Sequence, residues 1–130
     1  MLSQGVSQGI SGQVLWYEGD LMPGFDKEPA VGKPIQREIH IYRATKIDQA
    51  DALDGRFYSN IKTEFVQKTI TDEDGKFILA LEPGTYSVFV KEAQGLFARR
   101  FDQSGIINPV TITSNELVNM LIKVDYKAAY

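Results

Sequence analysis

His40 is the single histidine among 130 residues, and cysteine is absent. Those two counts bound the chemistry. Disulfides, thiolate metal centres, cysteine nucleophiles and any site needing two imidazoles are excluded. A catalytic zinc takes three protein ligands, so His40 would need carboxylates to complete the set. Glu38 and Tyr42 stand two residues to either side, which puts all three on one face of a strand. A histidine base also needs an orienting group and a nucleophile. No Gly-x-Ser-x-Gly elbow, phosphate loop or Gly-x-Gly-x-x-Gly turn supplies one. His40 therefore reads as a strand-surface residue, with a small hydrolase combining it with loop carboxylates as the competing reading.

Asp72-Glu73-Asp74-Gly75 has the look of a calcium loop. An EF-hand needs a bidentate Glu at position 12, and counting from Asp72 that position is Pro83. The run reads instead as a hairpin turn, with Asp72 satisfying turn amides and Gly75 free to take positive φ.

The elements that carry these residues are strands. Ile10, Gly12, Val14 and Trp16 alternate on one face, as do Ile39 and Ile41, Phe77, Leu79 and Leu81, and Tyr86, Val88 and Val90. Near the C-terminus Val118, Met120, Ile122, Val124 and Tyr126 do the same. Weaker candidates are Glu64–Thr71, Leu96–Asp102 and Pro109–Thr113. Turn residues fall between the runs, at 72–75, 82–84, 94–95 and 114–115. The predicted fold is all-β, a seven- to eight-stranded antiparallel Greek-key sandwich. The expected core is Trp16, Ile39, Ile41, Phe77, Leu79, Tyr86, Val88, Val90, Ile122 and Val124. Arg37 interrupts the apolar face of Ile35, Ile39 and Ile41 and is expected at the rim, snorkelling outward. Arg99 and Arg100, read as strand neighbours, are expected on opposite faces and so not in one basic patch.

One domain accounts for the length, with a flexible N-terminus over 1–8, the sandwich over 9–126 and a tail over 127–130. Fourteen Lys and Arg against 17 Asp and Glu give a net charge of -3, unlike the basic footprint of a nucleic-acid or anionic-membrane binder. No apolar run approaches the ~20 residues of a spanning helix. Met1–Gly9 is polar and does not read as a signal peptide.

From Gly9 to Tyr126 the chain resembles the carboxypeptidase regulatory-like, prealbumin-type (transthyretin-like) domains. Gly12-Gln13-Val14 leading to Gly32-Lys33-Pro34-Ile35 is one matching element. A more specific one is Thr71-Asp72-Glu73-Asp74-Gly75-Lys76-Phe77 running into Pro83-Gly84-Thr85-Tyr86. The resemblance implies a small β-sandwich, most often a non-catalytic module and often extracytoplasmic. Related hydroxyisourate hydrolases use several histidines and end in Tyr-Arg-Gly-Ser, whereas this chain reads Tyr126-Lys127-Ala128-Ala129-Tyr130. Intradiol dioxygenases hold iron with two His and two Tyr, which one histidine cannot supply.

Two connections, Glu18–Pro34 and Ala44–Thr63, are longer than hairpins require, so any ligand site is expected in loops rather than on sheet faces. With consecutive strands antiparallel, one pole gathers Glu18, Asp20, Asp26, Glu28, Asp72, Glu73, Asp74, Glu92 and Glu116. The other gathers Phe57, Tyr58, Ile106 and Ile107. Carboxylates at the first pole point to calcium, and aromatics at the second to a protein or glycan, with Phe57 and Tyr58 as candidate contacts. The competing readings are a solvated acidic rim and loop aromatics packed beneath their own loops. No residue is assigned to catalysis, to a cofactor or to a metal. The expected function is a binding or scaffold module for a protein or glycan outside the cytoplasm.

Overall fold

The computed structural model describes residues 6–20 and 31–129. It is all-β, about 60% strand, in two sheets. The strands of the first half are β1 (Gly9–Asp20), β2 (Lys33–Pro34), β3 (Glu38–Arg43), β4 (Asp51–Ala52), β5 (Phe57–Ser59) and β6 (Phe65–Ile70). Those of the second are β7 (Lys76–Ala80), β8 (Gly84–Glu92), β9 (Gly95–Phe97), β10 (Pro109–Ile112) and β11 (Leu117–Ala129). Among the described residues eleven strands replace the expected seven or eight, because the long connections carry the two- and three-residue pieces β2, β4 and β5. The 44–63 connection also holds a 3-10 turn at Ile47–Gln49. The expected strand at 96–102 stops at Phe97. Pro23, Gly24, Asp26, Lys27 and Glu28 lie outside the described residues, as do residues 1–5.

β1 is the centre of the four-stranded sheet. β7 and then β2 occupy its one flank, both antiparallel, and β11 runs along the other in parallel. That parallel pair departs from the antiparallel expectation. Parallel neighbours need a long crossover, and here the first and last strands meet with all the intervening strands as the connection. Strand pairing continues to Asp20↔Ala129, so the tail expected from residue 127 is sheet. The seven-stranded sheet has the order β4-β5-β9-β8-β3-β6, all antiparallel, with β10 sharing one flank of β8 with β9.

The inward rows of the two sheets form the main core. Ile10, Val14, Ile39, Ile41, Phe77, Leu79, Tyr86, Val88, Val90, Ile122 and Val124 are buried in it, as the alternation predicts, and Trp16 packs half-buried at its margin. Between Gly12 and its neighbours there is no room for a Cβ, which would stand 2.7 Å from the Phe77 ring and 2.5 Å from Met120 O. The turn at 72–75 takes the predicted form. Asp72 Oδ1 accepts the amides of Asp74 and Lys76, both at 2.9 Å, and Gly75 adopts φ 72°.

β8 is buried on both faces from Tyr86 to Val90, beyond what period-two alternation predicts. The cause is a cover over the outside of the seven-stranded sheet. The parts of 44–63 that flank β4 and β5, together with 98–108, lie across it and, with Tyr58 on the outer face of β5, seal Phe89 beside Ala50, Ala98 and Ile107. Polar bonds tie the two cover segments together and to the sheet. Ile107 N donates to Thr45 O (2.8 Å), Thr45 N to Ser87 Oγ (2.9 Å), and Asn108 Nδ2 to Val88 O (2.9 Å).

Candidate functional site

The expected aromatic contacts are not at the surface. Phe57 is 4% exposed and Tyr58 3%. Phe57 points into the main core and Tyr58 into the cover layer, on opposite faces of β5 as neighbours in a strand must be. Because 44–63 returns along the sheet as β4 and β5, Phe57 sits by the 92–95 turn, at the pole where acids were expected. Ile107 is buried with Tyr58 in the cover. The aromatic pole does not exist as a surface.

His40 lies on the outer face of β3. Its Nε2 is 2.9 Å from Glu38 Oε1, and Lys68 Nζ is 3.8 Å from the same oxygen. The His40 hydrogen bond, with the Lys68 and Lys91 charges, holds the Glu38 carboxyl below its ordinary value. The ring meets Phe65 edge-on at 5.9 Å. Among the described residues Glu38 is its hydrogen-bond partner, and no hydroxyl stands in a nucleophile's position.

Glu18, Asp72 and Glu116 are engaged separately. Trp16 Nε1 donates to Glu18 Oε1 at 2.5 Å, Asp72 caps its turn, and Thr113 Oγ1 donates to Glu116. No group of three or more His, Asp or Glu side chains converges on a metal position among the described residues. The side chain of Asp20 lies outside them, as do Asp26 and Glu28.

Among the described acids expected at that pole Glu92 is the exception, since its side chain is 3% exposed. Arg37 Nε donates to Oε2 at 2.7 Å and Tyr126 Oη to Oε1 at 2.5 Å. Arg37, the interruption in an apolar row, stays at the rim with its guanidinium 5.6 Å from the Trp16 ring centroid. Burial and then the bond to Glu92 push the Tyr126 phenol up to about 12. Beside it, Leu53, Asp54, Arg56, Phe57, Gln94 and Tyr126 line a cavity of about 340 Å³. Glu92 continues the inward parity of Tyr86, Val88 and Val90, and that acid at a core position was the sequence signal for this cluster.

A broad concavity lies on a sheet face rather than in the loops. It measures about 600 Å³ and lies across β11, β1 and β7. Ser11, Gln13 and Asn119 supply its hydroxyl and amides, Asp72 and Lys76 its charges, and half-buried Ile78 and exposed Leu121 its aliphatic surface. Two bonds order the polar rim: Gln13 Nε2 donates to Asp74 O at 2.9 Å, and Ser11 Oγ donates to Asn119 Oδ1 at 3.4 Å. The outward row of β1 (Ser11, Gln13, Leu15, Tyr17) carries no charge, and that absence was the available sequence signal.

A second correction concerns Arg99 and Arg100. With β9 ending at Phe97, strand alternation does not separate them. Both line a cavity of about 220 Å³ beside Lys123, and Arg99 Nε donates to buried Asp125 Oδ2 at 2.6 Å.

Comparison with family models, with curated proteins and with solved structures finds no match. No described helix is long and apolar enough to cross a membrane.

Proposed function

We propose that the chain is a non-catalytic binding or scaffold module of the carboxypeptidase regulatory-like, prealbumin-like kind, with Greek-key connections. Its contact surface is the groove across β11, β1 and β7. That groove carries the reading: aliphatic surface from Ile78 and Leu121 beside amides and a single charge of each sign. A protein partner fits it better than a glycan, because sugars are held by exposed rings and Phe57 and Tyr58 are buried. The resemblance alone supports an extracytoplasmic setting. A hydrolase centred on His40 has less support, since the ring is bonded to Glu38 with no nucleophile at hand.

A pull-down from the native cell fraction tests this with three baits. Wild type should retain a protein that Ile78→Glu with Lys76→Glu loses and that Phe65→Ala, on the other sheet, keeps. Identical capture by all three overturns the groove as the contact surface. Turnover of an ester, glycoside or phosphate substrate that disappears in His40→Ala overturns the non-catalytic reading.

A further inference from the structure

Each sheet leaves edges, and an edge strand invites another strand unless charge, brevity or cover blunts it. β2 and β4 are two residues long, β6 carries Lys68 and β7 starts at Lys76. β11 is different. It runs for 13 residues and, among the described residues, pairs with β1 alone. Its second half carries Lys123 and Lys127 and is crossed by Arg99 at Asp125. Leu117–Ile122 has neither charge nor proline, and Leu117 and Leu121 are 38% and 55% exposed.

The stretch also reads the same in both directions. Leu117, Asn119 and Leu121 face outward, with Val118 and Met120 inward. An antiparallel second copy centred on Asn119 sets Leu117 against Leu121, Val118 against Met120, and Asn119 against its own equivalent. Within Leu117–Leu121 apolar meets apolar and amide meets amide at every direct cross-strand pair. Glu116 then falls opposite Ile122, next to Lys123 and the cavity that Arg99 and Arg100 line. No like charges oppose one another.

We propose that β11 is a self-association edge, at which two copies pair antiparallel about Asn119 and join their four-stranded sheets into one. The occupant is a second copy because the edge is complementary to itself in sequence and in charge. A single strand pair buries less than the ~1,200 Å² of stable interfaces, so the dimer is reversible and concentration-dependent. The inference is independent of what the groove binds. Pairing would also bring the two grooves, each bordered by Asn119 and Leu121, side by side on one sheet.

Sedimentation velocity from micromolar to millimolar concentration tests it. Wild type should pass from monomer to dimer. Asn119→Lys and Asn119→Asp each set like charges opposite one another and should weaken dimerisation by up to about fivefold. An equimolar mixture of the two should restore it, because only a residue that pairs with itself gives complementary charges on mixing. Asn119 is exposed, so far-UV spectra and melting should stay those of wild type, and Lys68→Glu should leave association unchanged. A wild type that stays monomeric, variants that dimerise as wild type does, a mixture no better than its components, or open-ended polymers would each overturn the proposal.

Discussion

Arg37, Glu92 and Tyr126 show how one buried charge is made tolerable. Glu92 is out of water, and both its oxygens accept strong donors, from Arg37 and from Tyr126. Removing the acceptor strands a half-buried guanidinium and a half-buried phenol. Glu92→Ala should therefore lower unfolding stability by about 1–3 kcal/mol, read from urea denaturation. The phenol makes the same cluster sensitive to alkali. Its ionisation in the folded state moves from 10 to about 12, so the neutral form is favoured by folding. The sign follows: this stabilisation is complete below the unfolded value of 10 and is lost as pH rises through about 12. Tyr126→Phe should flatten the stability decline across that interval and remove one high-pH phenol from the ultraviolet titration. An unchanged slope would detach Tyr126 from Glu92.

At the scale of elements, local chemistry was legible wherever it was self-contained. Asp72 and Gly75 define their turn without help from distant residues, since the carboxylate caps amides two and four residues on. A Cβ on Gly75 would require strained φ and stand 2.5 Å from Val14 O, so Gly75→Ala should cost about 1–3 kcal/mol by thermal melting. The inward rows of β3, β7, β8 and β11 were legible for the same reason, because one buried face imposes period two. What the pattern could not give was the partner of each face. Phe89 is on the outer face of β8, and only tertiary contact with Ala50, Tyr58 and Ile107 makes it core. Loop length likewise signalled that 44–63 did something, but not that it covers a sheet. Phe57 and Tyr58 read as candidate contacts because a long connection has the look of a surface loop. Of the candidate site, Arg37 stood out in sequence as an interruption, whereas the groove depends on β11 lying parallel to β1. No local rule pairs the first strand with the last.

The whole molecule is then three layers rather than two: a four-stranded sheet, a seven-stranded sheet, and a cover of connecting segments fastened by Thr45, Ser87 and Asn108. This division accounts for where surface is left over. The cover occupies the outer face of one sheet, while the outer face of the other keeps the groove. If the 98–108 excursion were a solvated loop, its side chains would tolerate truncation alike. Layered packing predicts a sharp contrast within it. Ile107 is fully buried against Phe89 and Tyr58, whereas Phe101 is 55% exposed. Ile107→Ala should cost about 2–5 kcal/mol, the class of Phe77→Ala in the main core at about 3–5 kcal/mol. Phe101→Ala should stay within about 0.5 kcal/mol of wild type. Equilibrium denaturation of the three variants decides between the descriptions. Equal and small effects at 101 and 107 would reduce the cover to decoration, and a large loss at Ile107 makes it part of the core that holds β8 in place.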